Sequence, residues 1–514
     1  MQFDVDGEQR TVSGGGSLLE ALRDELGLRT PKDGCSPQGQ CGCCTVLVDG
    51  APRVACVTPV RRVAGRAVTT LAGLDEATRD RWAGAFLATG ASQCGFCTPG
   101  IIVRLEALQA KGPDAADADA VGRALAAHLC RCTGWQTIGE AFALAGEPTA
   151  PALPPRDLDA AARRAGIEGR TPQRVGADVA LGHGGFADDS APPDALVAVG
   201  DGAGGWVVAE SLAEARAAAG KTQGRRTTLE PQPPLDLPAG PWAVTLRTSW
   251  VEPAYLETDA AWCSPGGEPA SSLGNGGAFG GKVHATVGAV ARELADRHGR
   301  PVRVLLSRED TVRQGPKRPP VAAGLRADGS GVVRAYRTAG LAERLAAFAP
   351  ELDLELVDGA ALPTSCDLRA AGWAEVAMLR AALAGRAGPV RSPDGADAAA
   401  EVQDGRIAVR VSCGDVLDPV VLRSYCIGAA HMAYSWVTSE GLALDADGAV
   451  ADLTVRSFGI VRALDTPPIT VELDDAAAVR DVPPVNGSDA VFAAVAAAVW
   501  IDHGCPTDLP ARTT

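Results

Sequence analysis

Short runs of alternating apolar and polar residues open the chain and predict strands with one helix between them. The run 3–9 indicates a hairpin with Asp6-Gly7 as its turn. Apolar residues at helical spacing over 17–26 predict a helix, and 44–48 is typical of a strand. The pattern then changes to helical spacing, which predicts helices at 83–87, 101–109, 121–129 and 138–144.

A Pro-rich stretch, Pro148 to Pro155, predicts a linker, and a mixed α/β pattern follows it. The block 387–400 is rich in Ala, Asp, Gly and Pro and predicts an exposed loop. Strands are expected at 204–210 and 301–306, and helices at 212–219, 284–297 and 490–499.

Length and charge narrow the class of protein. A chain of 514 residues is too long for one core and suggests three or four domains. Its formal net charge of −15 argues against a nucleic-acid or anionic-membrane surface. No apolar run is long enough for a membrane span, and the N-terminus lacks signal-peptide features, so we expect a cytoplasmic protein.

Cysteines give the strongest chemical signal. Nine of the 14 lie before residue 135, and clustered cysteines in a reducing compartment are more often metal ligands than disulfides. Four thiolates hold an iron–sulfur cluster, although a zinc ion could also take either set. The groups are Cys35, Cys41, Cys43, Cys44 and Cys56, then Cys94, Cys97, Cys130 and Cys132.

Four stretches together resemble the iron–sulfur portion of the molybdenum hydroxylases, the xanthine dehydrogenase and aldehyde oxidase family. They are Lys32-Asp33-Gly34-Cys35, Cys41-Gly42-Cys43-Cys44-Thr45-Val46, Gln93-Cys94-Gly95-Phe96-Cys97-Thr98-Pro99-Gly100 and Cys130-Arg131-Cys132-Thr133-Gly134. The resemblance covers 1–147 and implies a plant-ferredoxin-like β-grasp domain with one [2Fe–2S] cluster, followed by a four-helix domain with a second.

The resemblance also implies the ligands. Five residues separate the first two cysteines where the family usually has four, and the motif favours Cys44 over its neighbour Cys43. Gln93 and the end of the Cys130–Cys132 hairpin would lie beside the pterin, where electrons would enter. The implied ligands are Cys35, Cys41, Cys44 and Cys56 for the first cluster, and Cys94, Cys97, Cys130 and Cys132 for the second.

A Gly-rich loop, 274–282, is the best motif of the remaining chain. Free amides in such a loop can bind an anion, although a plain flexible loop is the alternative. The loop resembles the family's Gly-Gly-x-Phe-Gly-Gly-Lys element, which passes the molybdenum and its pterin. The residues implied to bind this cofactor are Gly276, Gly277, Phe279, Gly280 and Gly281.

Asp489 is the candidate catalytic base. The family uses a glutamate near the C-terminus to deprotonate a metal-bound hydroxyl, and the matching stretch here offers only Asp489. The alternative is that Asp489 merely caps the helix from Ala490. The region after the linker is also much shorter than the family's, so its pterin site is abridged.

We therefore expect an α+β multidomain oxidoreductase of the molybdenum hydroxylase type, which passes electrons from molybdopterin through two [2Fe–2S] clusters to an external acceptor. The alternative is an electron-transfer and scaffold subunit that pairs with a separate molybdenum-binding chain; a zinc-stabilised binding protein is a third hypothesis. A small-molecule substrate and a separate flavin or other acceptor subunit are the implied partners. The expected domains are the β-grasp domain at 1–75, the helical [2Fe–2S] domain at 76–147, the linker at 148–165, a small α/β domain resembling the aldehyde oxidase a/b hammerhead at 166–245, and an abridged, mixed α/β molybdopterin-binding domain at 246–514.

Overall fold

The computed structural model describes residues 1–112, 117–147, 156–220, 224–225, 228–271 and 277–511. Its strands are β1 (Gln2–Val5), β2 (Glu8–Thr11), β3 (Thr45–Val48), β4 (Ala51–Val54), β5 (Ala67–Thr69), β6 (Leu196–Gly200), β7 (Trp206–Ala209), β8 (Val244–Thr248), β9 (Ala260–Cys263), β10 (Ala270–Ser271), β11 (Val302–Leu305), β12 (Val321–Leu325), β13 (Gly331–Tyr336), β14 (Leu352–Val357), β15 (Val390–Arg391), β16 (Asp397–Gln403), β17 (Arg406–Ser412), β18 (Ile469–Leu473) and β19 (Asp508–Leu509).

The α-helices are α1 (Leu18–Glu20), α2 (Glu76–Thr89), α3 (Thr98–Gln109), α4 (Ala118–Ala124), α5 (Gln136–Gly146), α6 (Leu158–Gly169), α7 (Ala177–Ala180), α8 (Ala187–Ser190), α9 (Leu212–Ala219), α10 (Val287–His298), α11 (Arg308–Gln314), α12 (Leu341–Phe348), α13 (Trp373–Leu383), α14 (Pro419–Thr438), α15 (Ala476–Val479) and α16 (Ser488–Asp502). Across the described ranges, no helix combines the length and the apolar character that a membrane crossing needs.

The first sheet has the strand order β2-β1-β5-β3-β4, with β1 and β5 parallel. The predicted hairpin is present as β1 and β2, and the predicted helix is α1 continued by a π-helical turn, Ala21–Glu25. Ser17 begins this helix with a capping box to Glu20, which satisfies the free amides of its first turn. Leu18 and Leu22 on its inner face are fully buried against the sheet.

Helices α2, α3 and α5 contain three of the four predicted helices. The fourth stops early: α4 ends at Ala124, a 3₁₀ turn follows, and His128 is extended. His128 is buried and its ring lies against Gly42, so the chain leaves the helix in order to reach the first sheet. This early exit brings Cys130 back towards the start of α3.

A second sheet, β10-β9-β11-β6-β7, joins strands from distant parts of the chain. β11 pairs in parallel with β6 and antiparallel with β9. The region 166–245 therefore shares its sheet with strands from the following region, and the structure does not separate the two at residue 245.

The third and fourth sheets, β14-β13-β12-β8-β19 and β15-β16-β17-β18, surround the buried helices α13, α14 and α16. The block 387–400, predicted as an exposed loop, instead contains β15 and the first part of β16. Ala398 and Ala400 alternate into the core, and an Ala-rich composition hides this two-residue period.

The second half of the predicted linker is also part of the core. Residues 148–155 lie outside the described residues, but 158–165 form most of α6. Arg164 on this helix is fully buried and donates to backbone carbonyls near 415–416. A charged side chain anchored in this way fixes α6 to the rest of the molecule.

Candidate iron–sulfur centres and cofactor cavity

The first cysteine group is buried at one edge of the first sheet. The thiol of Cys35 is in hydrogen-bonding contact with Cys41 and Cys56, and Cys44 with Cys56. None of the 14 cysteines forms a disulfide. Four free, buried thiols in contact are chemically suited to hold a metal centre as thiolates.

Backbone amides donate hydrogen bonds to sulfurs of this group. The amides of Gln38 and Gln40 lie 3.1 and 3.4 Å from the Cys35 sulfur, and the amide of Cys56 lies 3.4 Å from the Cys44 sulfur. Such N–H···S bonds stabilise the negative charge of a thiolate cluster.

Cys43 is fully buried and faces both groups. Its thiol contacts Cys41, and its charge would also act on Cys97 and Cys130 of the second group. The adjacent Cys44 contacts Cys56 instead. The choice of Cys44 as the ligand, with Cys43 left out, therefore stays a prediction.

The second cysteine group forms two thiol pairs. The sulfurs of Cys94 and Cys132 are 3.6 Å apart, and Cys97 contacts Cys130. Within the described ranges, no three His, Cys, Asp or Glu side chains converge on one point as a single metal ion requires. Pairs suit a binuclear cluster, where each iron takes two thiolates, better than tetrahedral zinc.

The two groups are neighbours because glycines let the backbones touch. A Cβ on Gly100, in the first turn of α3, would collide with the carbonyl of Gly42 and lie 2.9 Å from the backbone of Cys43. Gly95 has φ +80° and packs against the carbonyl of Val179. A larger residue at Gly100 would push the second group away from the first, and one at Gly95 would displace the second group from Val179.

Gln93 lies between the second cysteine group and α14. Its Nε2 donates to the carbonyl of Cys132 at 3.1 Å and to Ser424 Oγ at 3.0 Å. Among the described residues, its buried Oε1 has no hydrogen-bond partner, and neither has the hydroxyl of Tyr425 on α14. Burial raises the pKa of Tyr425 well above its usual value, and the sulfurs of Cys132 and Cys94 add to this rise.

The Gly-rich loop lies directly against the second cysteine group. Gly276 falls outside the described residues, but Gly277 has φ +87°, and a Cβ there would meet Arg131 at 2.5 Å and the Cys132 sulfur at 3.4 Å. Gly280 has φ +100° and no room for a side chain against the carbonyl of Asp367. A Cβ on Gly281 would lie 3.0 Å from Pro253.

Asp489 is buried near the same loop and is not a helix cap. The capping position of α16 is Gly487, and Asn486 Oδ1 accepts the Asp489 amide at 2.9 Å. The carboxylate is ion-paired with Arg170 and, at 3.2 Å, with Arg369. The capping interpretation is therefore wrong, and the carboxylate is held by two guanidinium groups.

These two arginines lower the pKa of Asp489. Burial alone would raise the pKa of this carboxyl, but Arg170 and Arg369 hold it below its usual value. Arg369 also stacks 3.7 Å from the centre of the Phe279 ring, so one guanidinium joins Asp489 to the Gly-rich loop. A carboxylate with a lowered pKa and two charged partners is a weak proton acceptor.

Several residues of this region were not predicted. Arg170 has no sequence signal, since it lies over 300 positions from Asp489. Glu168 accepts the amides of Gly487 and Ser488 at 3.1 and 2.8 Å. It therefore stabilises the start of α16 in the way that had been considered for Asp489.

The cavity beside the loop is small. It measures about 40 Å³ and lies between Arg131, Phe279 and Arg369. A cofactor-sized ligand needs about 300–1,000 Å³. The thiol groups fit two [2Fe–2S] clusters, but the described residues around Phe279 do not fit a pterin cofactor as they are arranged.

Comparison with known proteins agrees with the thiol geometry. A [2Fe-2S] binding domain family matches residues 70–143, which contain the whole second cysteine group. The nicotinate dehydrogenase small FeS subunit of Eubacterium barkeri is 37% identical over 150 residues, 29% of this chain and 94% of that protein. The xanthine dehydrogenase iron-sulfur-binding subunit of Escherichia coli is 40% identical over 125 residues, 24% of this chain and 78% of that protein.

The fold has a relative over the full length. The aldehyde oxidoreductase of Desulfovibrio desulfuricans superposes with a TM-score of 0.70, covering 99% of each chain at 15% identity. This likeness confirms the predicted α+β multidomain architecture. The chain belongs to the xanthine dehydrogenase and aldehyde oxidase family of molybdenum hydroxylases. It is an oxidoreductase of that type with a [2Fe–2S]-binding domain.

Proposed function

We propose that this chain carries electrons from a molybdopterin site through two [2Fe–2S] clusters to an external acceptor. One observation supports this most: the Gly-rich loop, the second cysteine group and the first cysteine group follow one another in direct contact. Gly277 lies against Cys132, and Gly100 lies against Gly42. With a cluster held in each cysteine group, this order would supply one-electron carriers along a continuous route.

The proposed ligands are the two quartets named from the sequence. The first is Cys35, Cys41, Cys44 and Cys56, and the second is Cys94, Cys97, Cys130 and Cys132. The backbone donors at Gln38 and Gln40 would stabilise the reduced first cluster. A zinc-stabilised binding protein is disfavoured by the two-by-two thiol contacts of the second cysteine group and by the [2Fe-2S] family match, which covers that group.

The small cavity favours the arrangement in which a second chain carries the molybdenum. Its volume of about 40 Å³ is far below what the cofactor needs, and Arg369 fills the space between Phe279 and Asp489. In this arrangement the buried residues Gly277, Phe279, Gly280 and Gly281 pack the loop against the second cysteine group instead of lining a pterin site. Gln93 would remain the entry point for electrons, because it bonds both Cys132 and α14.

Catalysis within this chain is the other arrangement, with Asp489 as the base. It requires Arg369 to move and the cavity to open. Replacing Asp489 by Ala would then lower turnover about 10²–10⁴-fold, the usual contribution of a positioned base. Asp489→Glu would raise turnover or leave it unchanged. The partners in either arrangement are a small-molecule substrate and a flavin or other acceptor subunit, in the cytoplasm.

Metal analysis separates the two arrangements. The chain would be purified anaerobically with and without its co-expressed neighbouring subunits, and iron and molybdenum would be measured per chain. We expect iron in both preparations and molybdenum only in the complex. About one molybdenum per isolated chain would overturn the two-chain arrangement, and substrate would then have to reduce the clusters without any partner.

A further inference from the structure

A charged side chain without an ion-pair partner lies beside the first cysteine group. Arg308, the first residue of α11, is completely buried. Its Nη2 donates to the carbonyls of Gly34 and Leu256, at 2.6 and 2.8 Å. Its Nε and Nη1 have no hydrogen-bond partner, and no described residue forms an ion pair with the guanidinium. Buried charges are normally paired, so this exception calls for a reason.

The contact with Gly34 connects Arg308 to the first cluster site. Gly34 immediately precedes Cys35, and a Cβ on Gly34 would lie 3.1 Å from the sulfurs of both Cys41 and Cys43. The carbonyl that accepts from Arg308 thus belongs to the peptide that enters the cysteine group. The guanidinium is therefore separated from Cys35 by a single hydrogen bond and one peptide.

Neighbouring charges do not cancel the charge of Arg308. Lys282 is paired with Glu257 at 2.7 Å, and Lys317 with Glu252 at 2.9 Å. Asp259 accepts the Tyr255 hydroxyl at 3.1 Å and lies 3.9 Å from Lys282, and burial raises its pKa. Arg308 itself acts to lower the pKa of Asp259, so the two charges interact, but no described carboxylate forms a hydrogen bond or an ion pair with the guanidinium.

The second cysteine group has the opposite arrangement. Arg131 lies between Cys130 and Cys132 in the sequence and is also buried. Its Nη1 and Nη2 donate to the carboxylate of Glu440, at 2.5 and 2.7 Å. The second cluster site therefore has a neutralised guanidinium, whereas the first has an unneutralised one.

We propose that Arg308 is a positioning residue that raises the reduction potential of the first cluster, so that electrons arriving at the second cluster move on to the first. The inference rests on the proposed function, because it requires a cluster in each cysteine group. Reduction adds one electron to a cluster and no other atom changes place, so a nearby buried positive charge favours the reduced form. Transfer oxidises the second cluster by one electron and reduces the first by one.

The test is a redox titration of the anaerobically purified full chain, followed by electron paramagnetic resonance (EPR). Arg308→Gln removes the charge but keeps a donor for the Gly34 carbonyl. We expect the reduction equilibrium of the first cluster to become about tenfold less favourable, which is about 59 mV for one electron, with the second cluster unchanged. Arg308→Lys keeps the charge and should stay close to the wild-type potential.

Arg456 offers a matched control. Its Nε donates at 3.0 Å to the carbonyl of Gln40, which precedes Cys41 just as Gly34 precedes Cys35. Arg456 is exposed, so water screens its charge more than that of Arg308, although burial of part of the side chain lowers its pKa and Cys41 and Cys35 raise it. Arg456→Gln should therefore shift the first-cluster potential less than Arg308→Gln. Equal shifts from the two variants, or equal shifts from Arg308→Gln and Arg308→Lys, would overturn the proposal.

A second variant keeps the proposal testable if Arg308→Gln loses the cluster on folding. Glu440→Gln leaves the buried Arg131 without its counter-charge and should raise the potential of the second cluster. An unchanged second-cluster potential would count against the charge argument. Absence of iron from the wild-type chain would instead contradict the proposed function itself, and the two failures are thereby distinguished.

Discussion

The cysteine groups and the region around Phe279 and Asp489 are both buried, yet they satisfy their polar atoms in different ways. The cysteine thiols contact one another and receive backbone amides, and no charged side chain of the described residues is paired with them. Asp489 is neutralised by two arginines, and one of these also covers Phe279. The thiols of the first region have no charged partner among the described residues, whereas the carboxylate of the second region is paired with arginine side chains.

The largest effect should come from a change in the second cysteine group. Cys94→Ser removes one of the four proposed thiolates and leaves Cys132 without its neighbour at 3.6 Å. We expect iron to fall from about four to about two per chain, with loss of one EPR signal and retention of the other. Retention of both signals would show that Cys94 is not a ligand.

The next largest effect should be on stability. Asp489→Asn leaves Arg369 buried beside an uncharged partner, which should cost about 3–5 kcal/mol of unfolding free energy at pH 7. Urea unfolding of the wild type and the variant measures this difference. A cost below about 1 kcal/mol would mean that the arginine pairs contribute little, and that Asp489 is free for another role.

The difference in unfolding free energy between the wild type and Asp489→Asn should also depend on pH. The two arginines lower the pKa of Asp489 in the folded chain below its unfolded value of about 3.9. Its stabilising contribution is therefore complete above about pH 4 and is lost as the pH falls through the lowered folded value. The difference between wild type and variant should stay constant from pH 7 to pH 5 and shrink below pH 4.

A smaller effect should follow from Gly277→Ala at the boundary between the two regions. The added Cβ meets Arg131 at 2.5 Å, and φ +87° strains any other residue. We expect about 1–3 kcal/mol of destabilisation and a shifted signal from the second cluster only. Gly139→Ala in α5, which has open space around it, is the control and should be neutral or slightly stabilising. An equal loss of unfolding free energy in the two variants would show that Gly277 is not packed tightly against the second cysteine group.

The smallest effect should come from Cys43→Ser. If Cys44 is the ligand, iron content and both EPR signals should stay close to wild type, because Ser is only slightly smaller than Cys and keeps its shape beside Cys41. Loss of the first signal would show that Cys43 is the ligand and that its neighbour was chosen wrongly. Iron analysis of the two single variants, Cys43→Ser and Cys44→Ser, decides between them.

These contrasts also show why some features could be predicted from sequence. Some cysteines of each group are close in sequence, as are Cys94 and Cys97, so their spacing indicates a metal site, and the resemblance to the molybdenum hydroxylases then implies iron–sulfur clusters. Ion pairs such as Arg131–Glu440 and Arg170–Asp489 join residues more than 300 positions apart, so no local sequence pattern predicts them.

The secondary-structure prediction was wrong where the amino-acid composition obscured the two-residue alternation of a strand. The alternation at 397–400 is carried by small Ala side chains, which look like a loop among Asp and Gly residues. Likewise, α6 follows directly on a Pro-rich stretch, and its burial depends on Arg164 reaching backbone carbonyls some 250 positions later. Both outcomes were set by tertiary packing rather than by local preference.

Metal content and EPR of the anaerobically purified wild-type chain test the central claim most directly. The account predicts about four iron, a matching amount of acid-labile sulfide and two distinct signals after dithionite reduction, because the two cysteine groups differ in their neighbouring charges. Zinc without iron, or a single signal from one cluster, would contradict the proposal that the chain is a two-cluster electron carrier.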